Sequence, residues 1–191
     1  RWKNFNEFLA EAKANPGKIN LGTIAIGSTQ NLAAELFKST AGVDVQVVPF
    51  NGTPAVVTAL RGGSIDAAVE ILGPVRTQIT AGALRPLALM GEKREPTLPD
   101  VPTVAEARGP LTGFNVASWN ALAAPAATPR DRVAYLNREL NAVLSQPALK
   151  QKLAALEVDA RPGTPEQLGQ LLASEIKRWG DVITRANIPR Q

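Results

Sequence analysis

INLGTIAIGSTQNLAAELFKSTAG, residues 19–42, is the stretch on which the fold turns. Ile19 to Gly22 has the length and apolar character of a short strand. Gly22 to Gly27 is a loop bounded by two glycines. Ser28 is a good N-cap type, and Leu32, Leu36 and Phe37 then recur at helical spacing. Gly42 suits the left-handed position that closes a helix. A strand that passes through a glycine-bounded loop straight into a helix is half of a βα unit.

The same alternation continues downstream. Val45 to Val48 is a β-branched strand, and Phe50-Asn51-Gly52 turns the chain. Thr53 is expected to cap a helix with Pro54 at its first position, Val56, Val57 and Leu60 inward and Gly62-Gly63 at its end. Ile65 to Val69 is expected as a strand. A helix from Gly73-Pro74 through Val75 and Ile79 to Gly82 follows, then a strand from Leu84 to Leu89. Strands alternating with amphipathic helices over residues 19–89 predict an α/β fold, a mainly parallel sheet flanked by helices with right-handed crossovers. Upstream, Phe5, Phe8, Leu9 and Ala12 share one helical face that Asn15-Pro16-Gly17 ends.

Beyond Met90 the texture changes. Pro96, Pro99 and Pro102 mark a loop, with a short helix expected from Thr103 to Ala107. Phe114 to Ala123 reads as extended, a strand or a crossover, and Pro125 to Pro129 as a hinge. The last third is helical. Thr128-Pro129 is expected to cap a helix bearing Val133, Leu136, Leu140 and Val143, and another follows Pro147. Val158 to Ala160 is expected as a short strand. Thr164-Pro165-Glu166-Gln167 is a capping box opening a long helix that ends near Asn187. The recurring Thr-Pro helix starts reflect capping physics, not an internal repeat.

The chain has 191 residues, 45% of them hydrophobic and 20% charged, which is globular material rather than disordered or fibrous. No apolar run approaches the roughly 18 residues of a membrane span. There is no Cys and no His. Thiol nucleophiles, Cys/His metal sites and Ser-His-Asp triads are excluded, and no cofactor is called for. The net charge is +4, without a basic stripe, and aromatics are 5%, so nucleic acid is a poor partner. Residues 1–18 are charged and amphipathic, so an export signal, if used, lies outside this sequence.

The best candidate site is Gly22 to Thr29. A helix N-terminus offers unpaired N–H groups and about half a positive charge. Gly27 permits close approach, and Thr23, Ser28 and Thr29 add hydroxyls. That is an anion site without a cationic side chain, although Ser28 as a plain N-cap fits the spacing equally well. The glycine spacing matches neither a dinucleotide fingerprint nor a phosphate-binding P-loop. Thr53 opens a second helix start at the same sheet edge, where ligands bind in open parallel sheets. Alone, it reads first as a cap. Asp66 and Glu70 are too far apart along a strand for acid–base work on one bond. Asp66 reads as a turn cap, while Glu70, at the strand's carboxyl end, is positioned to orient a polar ligand or accept a backbone bond. No acidic cluster supports a metal. Trp119 lines a cleft or, more simply, fills core beside the hinge.

A series of motifs in order resembles the Bug/TctC family, the extracytoplasmic solute-binding receptors of tripartite tricarboxylate transporters. They are Ala12-Lys13-Ala14-Asn15-Pro16-Gly17-Lys18, Gly27-Ser28 with Leu32-Ala33-Ala34-Glu35-Leu36-Phe37, and Val48-Pro49-Phe50-Asn51-Gly52. Gly63-Ser64-Ile65-Asp66, Ala81 to Ala88, Leu98 to Glu106, Ala124 to Pro129 and Trp179 continue the series. The resemblance implies a two-lobed periplasmic-binding-protein-like fold of type II that closes on a small carboxylate, without catalysis. It implies residues 18–123 as the second, ligand-binding lobe, led by a helix in 1–17. Residues 124–191 would be the hinge and the helices that complete the first lobe. One jaw would be Thr23, Ala25, Ile26, Gly27, Ser28 and Thr29, with Thr53 and Glu70 as weaker ligand-binding candidates. The carboxylate would be held by backbone amides and hydroxyls, and the partners would be that ligand and membrane transporter subunits.

Two departures from the family pattern stand out: Asn31 where members commonly carry His, and Glu70 where they carry Asp. The first lobe's opening strands and Pro-Gly-Gly loop have no counterpart, so the apolar faces of the last helices are expected to need another partner, self-association among the options. The competing readings are an α/β enzyme acting on an anionic substrate and a dimerising module that binds no ligand.

Overall fold

A computed structural model describes residues 1–188. The described residues form two compact units, Arg1–Ser118 together with 182–188, and Trp119–Asp181.

The first unit begins with α1 (Phe5–Ala14). The Asn4 side chain caps it by accepting the Glu7 N–H at 3.0 Å. Strand β1 (Asn20–Ile24), helix α2 (Thr29–Ala41), strand β2 (Gln46–Phe50), helix α3 (Thr53–Arg61), strand β3 (Ala67–Ala68) and helix α4 (Leu72–Thr80) follow. The strands are parallel in the order β2-β1-β3. The central strand β1 is covered on both faces, as parallel sheets require. Helices on the two sides of a parallel sheet are the α/β architecture expected from residues 19–89.

Aromatic packing fixes α1 against α2. Phe8 stacks on Phe37 at 6.0 Å between ring centroids, with Phe5 beside both and Trp2 edge-on to Phe8 at 5.0 Å. Phe114 meets Phe37 edge-on at 6.4 Å and ties the later chain to this core. Gly22 packs closely. A Cβ there would overlap the tip of the Ile65 side chain, which would have to shift, and would touch Val56 and Phe50 at ordinary contact distance.

Several boundaries differ from the sequence expectation. Strand β1 runs to Ile24 rather than ending at Gly22, because Thr23 and Ile24 pair with Pro49 and Phe50. The N-cap of α3 is Gly52, at a left-handed φ of 94°, and not Thr53, which is the first helical residue. Strand β3 is two residues long, although Asp66 and Val69 extend its bonding by donating to Asn20 and Gly22.

Leu84 to Leu89 is not a sheet strand. Pro86 has no N–H to give a ladder, and Leu89 instead bridges Thr103, donating to Pro102 O and accepting from Val104. The edge of β3 is therefore left open.

The expected helix at 103–107 is a 3₁₀ turn, Val104–Ala107, and a second turn covers Gly109–Leu111. Glu106 holds the first turn in place. It accepts the Thr103 N–H at 3.0 Å and both Nε and Nη2 of Arg94, at 2.8 and 2.5 Å. The stretch from Phe114 is extended but unpaired as a strand. Phe114 and Val116 are buried, whereas Trp119 is 39% exposed, so it does not fill core.

The second unit is helical. It holds α5 (Arg130–Leu144), α6 (Pro147–Ala154) and most of α7 (Pro165–Arg185). Pro129 itself occupies the N-cap position of α5, where Thr128 was expected to cap. The capping box at α7 forms as expected. Gln167 N–H donates to Thr164 Oγ1 at 3.2 Å, and Thr164 N–H donates to Gln167 Oε1 at 2.9 Å. The expected strand at 158–160 is absent. Asn141 clips the segment instead, donating to Gly163 O at 2.9 Å and accepting its N–H at 3.1 Å. No residue of α5 or α6 is buried, and Tyr135, Leu136, Val143, Leu171, Leu172 and Ile176 are exposed.

The two glycines of the β1–α2 connection separate by cause. Gly22→Ala is expected to lower stability by about 1–3 kcal/mol through overpacking. Gly27→Ala, where an added Cβ meets nothing but φ is +80°, is expected to cost about 1 kcal/mol from backbone strain. Urea unfolding measures both, and a Gly22→Ala loss that Ile65→Val, which removes the overlapping Cδ1, does not relieve would refute the overpacking cause.

Acid is expected to loosen the Arg94–Glu106 turn. The Arg94 bonds, followed by the Thr103 N–H, hold the Glu106 carboxyl at about 2, below its ordinary value of 4.5. A depressed carboxyl stabilises the fold above its ordinary value and loses that contribution as pH falls toward 2. Glu106→Gln should flatten the stability–pH slope in that window, and an unchanged slope would exclude this turn as its origin.

Candidate functional site

The carboxyl ends of three parallel strands lie at one edge of the sheet, and the starts of α2 and α3 lie there with them. Ser28 caps α2, its Oγ accepting the Asn31 N–H at 3.2 Å. The connecting loop closes on itself. Ser28 N–H donates to Ala25 O at 3.1 Å, and Gly27 N–H donates to Asn31 Oδ1 at 3.2 Å. The Asn31 Nδ2 donates to Thr23 Oγ1 at 3.3 Å, and that hydroxyl donates to Ile24 O at 2.9 Å.

Among the residues expected at the site, Ala25, Ile26 and Gly27 are exposed, and Ser28 and Thr29 are half-buried. Thr23 is fully buried and bonded inside the loop, so it shapes the loop rather than offering a hydroxyl at its surface. Gly27 serves its left-handed φ of 80°. Of the first N–H groups of α2, Ser28 and Asn31 have partners within the loop and cap. Those of Thr29 and Gln30 have none among the described residues, as expected for a helix start.

Thr53 and Glu70 come together across the sheet edge. The Thr53 hydroxyl donates to Glu70 Oε2 at 3.0 Å, and the Gln30 side-chain amide reaches the same oxygen at 3.4 Å. Glu70 thus accepts from side chains at both helix starts and not from the backbone. Its Oε1 is buried and has no partner among the described residues. A buried acceptor left unpaired typically costs about 1–3 kcal/mol. Asp66 lies at the other end of β3. It accepts the Asn20 N–H at 2.9 Å and pairs with Arg1, which also pairs with Glu11. Its role is structural.

A cavity of about 440 Å³ follows the open edge of β3. Ala67, Ala68 and Glu70 line one side and Leu84 to Met90 the other, with Val56 and Val75 among the apolar walls. Its size is that of a small-molecule pocket. No cluster of three or more acidic groups that would hold a metal occurs among the described residues. No helix among them is long and apolar enough to cross a membrane.

Two residues of this arrangement are not singled out as site residues by sequence reasoning. Gln30 and Asn31 are amides in the first turn of α2, both buried beside the buried Leu32, Ala33 and Ala34. Polar residues on the apolar side of a helix start are the signal that marks them.

The model of the tripartite tricarboxylate transporter family receptor matches residues 1–188. Protein BugT of Bordetella pertussis is 33% identical over 180 residues, 94% of this chain and 55% of that protein. Among solved structures, the Rhodopseudomonas palustris protein Rpa4515 with adipate aligns at a TM-score of 0.84. It is 32% identical, and the match covers 98% of this chain and 62% of that one. MatC from the same organism, with bound malate, aligns at 0.74 and 32% identity over 95% and 62%. The chain spans about half the length of the curated relatives it matches.

Proposed function

The chain belongs to the tripartite tricarboxylate transporter receptor family, and from that premise we propose that it captures a small carboxylate in the periplasm for a membrane transporter. The ligand class is a dicarboxylate, tricarboxylate or aromatic acid. The observation that carries this reading is the start of α2. Its exposed loop and the unpartnered N–H groups of Thr29 and Gln30 form an anion-binding end held in shape by Asn31 and Thr23. Ala25, Ile26, Gly27, Ser28 and Thr29 line the jaw, Thr23 positions it, and Thr53 and Glu70 flank it. Membership of a receptor family favours binding over turnover. In this reading residues 18–123 are the ligand-binding lobe, and residues 124–191 are the hinge and the helices of the other. Capture is a shift of the two lobes toward a closed state that the ligand prefers.

The adipate and malate bound to the two solved relatives support the carboxylate class. Thermal unfolding against mono-, di- and tricarboxylates and aromatic acids tests it. A ligand at 100 times its dissociation constant is expected to stabilise the chain by about 2.7 kcal/mol. Ser28→Gly, which leaves a tolerated N-cap, should weaken binding by about 1–2 kcal/mol through a lost bond to a charged group. A flat response to the whole panel would sink the reading.

We also propose that the chain self-associates through the exposed apolar side chains of its C-terminal helices, including Tyr135 and Leu136 of α5 and Leu172 and Ile176 of α7. Light scattering should give a mass above that of one chain. A monodisperse monomer at all concentrations would rule this out.

A further inference from the structure

We propose that the gap between β3 and residues 84–88 is a strand-acceptor slot, filled by an extended apolar segment from the part of a family receptor that this chain does not span. The inference goes beyond the ligand reading and stands whether or not the α2 start binds an acid. Strand β3 is paired on one side only, to β1. Leu84 to Met90 run along the other side of the 440 Å³ cavity from Ala67 and Ala68. This second rim is unpaired too. The N–H groups of Arg85, Leu87 and Ala88 have no hydrogen-bond partner among the described residues, and no donor reaches the carbonyls of residues 84–88. Apart from Arg85, these residues are half-buried. Both ends of the rim are tied down. Leu84 N–H donates to Gln78 O at 3.1 Å, and Leu89 N–H donates to Pro102 O at 2.8 Å. The Arg85 side chain adds a bond to Trp2 O at 2.8 Å. The rim is therefore held in place while its own backbone bonds stay unused.

Backbone groups taken from water without partners are costly, and native proteins pair or cover open sheet edges. One extended strand laid in the gap would bond to both rims at once, the mode of recognition by strand addition. A small apolar molecule would fill the volume but leave the backbone groups of both rims unpaired. A strand buried between two neighbours and beneath helices is a near-continuous apolar run of about five or six residues. The walls suit such a run: Phe5 and Phe8 of α1, Val56 and Leu60 of α3, and Val75 and Ile79 of α4. The source of the strand follows from the coverage of the match. Rpa4515 superimposes on 98% of this chain at a TM-score of 0.84, yet the match takes in only 62% of that protein. More than a third of the relative lies outside the matched part, and an unpaired edge within the matched part is where a strand from outside it belongs.

The test uses overlapping peptides of about twelve residues, longer than a typical strand, that tile the part of BugT outside its match to this chain. Each is added in excess to the 191-residue chain, and amide hydrogen exchange is followed by NMR. A short run of neighbouring peptides sharing an apolar core is expected to slow exchange at Arg85, Leu87 and Ala88 by at least about tenfold. The same peptide N-methylated at odd or at even positions is expected to lose that effect in both forms, because an inserted strand bonds on both sides. Leu87→Pro removes an N–H that has no partner in the chain alone, so it should leave thermal unfolding nearly unchanged and weaken the protection. Protection by no peptide overturns the proposal. Equal protection by the N-methylated forms overturns it as well, since apolar burial without strand pairing would then suffice. Amides at 84–88 already protected in the peptide-free chain, increasingly so with its concentration, would assign the slot to a second copy and overturn this occupant. The N-methylated peptides decide the matter if Leu87→Pro fails to fold.

Discussion

The parallel pairing of β1 with β2 and β3 is the constraint from which the rest of the first unit follows. Parallel strands end at one edge of their sheet, and the helices that follow them begin there. The pairing of Leu21 with Val47 and Ala67 therefore brings the starts of α2 and α3 to the same edge, although Ser28 and Thr53 are 25 residues apart in sequence. Gly22 lies within that pairing, and the tip of the Ile65 side chain occupies the space that a side chain there would need.

The edge so formed carries two different polar devices. Asn31 satisfies the loop from within, bonding Gly27 on one side and Thr23 on the other, so the loop keeps its shape without a ligand. Glu70 is satisfied on only one oxygen. The first device preorganises a surface, which lowers the ordering cost of binding. The second leaves one carboxyl oxygen without a hydrogen-bond partner among the described residues.

Much of this was legible in the sequence. Ser28, Gly42, Gly62 and the Thr164–Gln167 box are local capping signals, and each does in the structure what its spacing predicts. Helices with periodic apolar faces were equally clear, because that periodicity is set within a few residues. The errors fall where pairing across the chain decides the outcome. Leu84 to Leu89 has the apolar texture of a strand, yet Pro86 and the competing bridge from Leu89 to Thr103 keep it out of the sheet. Thr53 reads as a cap by type, but the turn needed a left-handed residue at Gly52, and the hydroxyl of Thr53 went to Glu70. Trp119 reads as core by size and is part-exposed.

The sequence by itself determined the α/β class, the order of the helices and strands up to α4, and the family. These are properties of caps, periodicity and motif order, and all act over short stretches. Only the tertiary structure decided that Thr23 faces inward, that Gln30 and Thr53 share one oxygen of Glu70, and that the other oxygen is buried alone. Those facts join residues up to 40 positions apart. A hydrogen bond between such residues, or its absence, is fixed by how the strands stack and not by anything either residue's neighbours reveal.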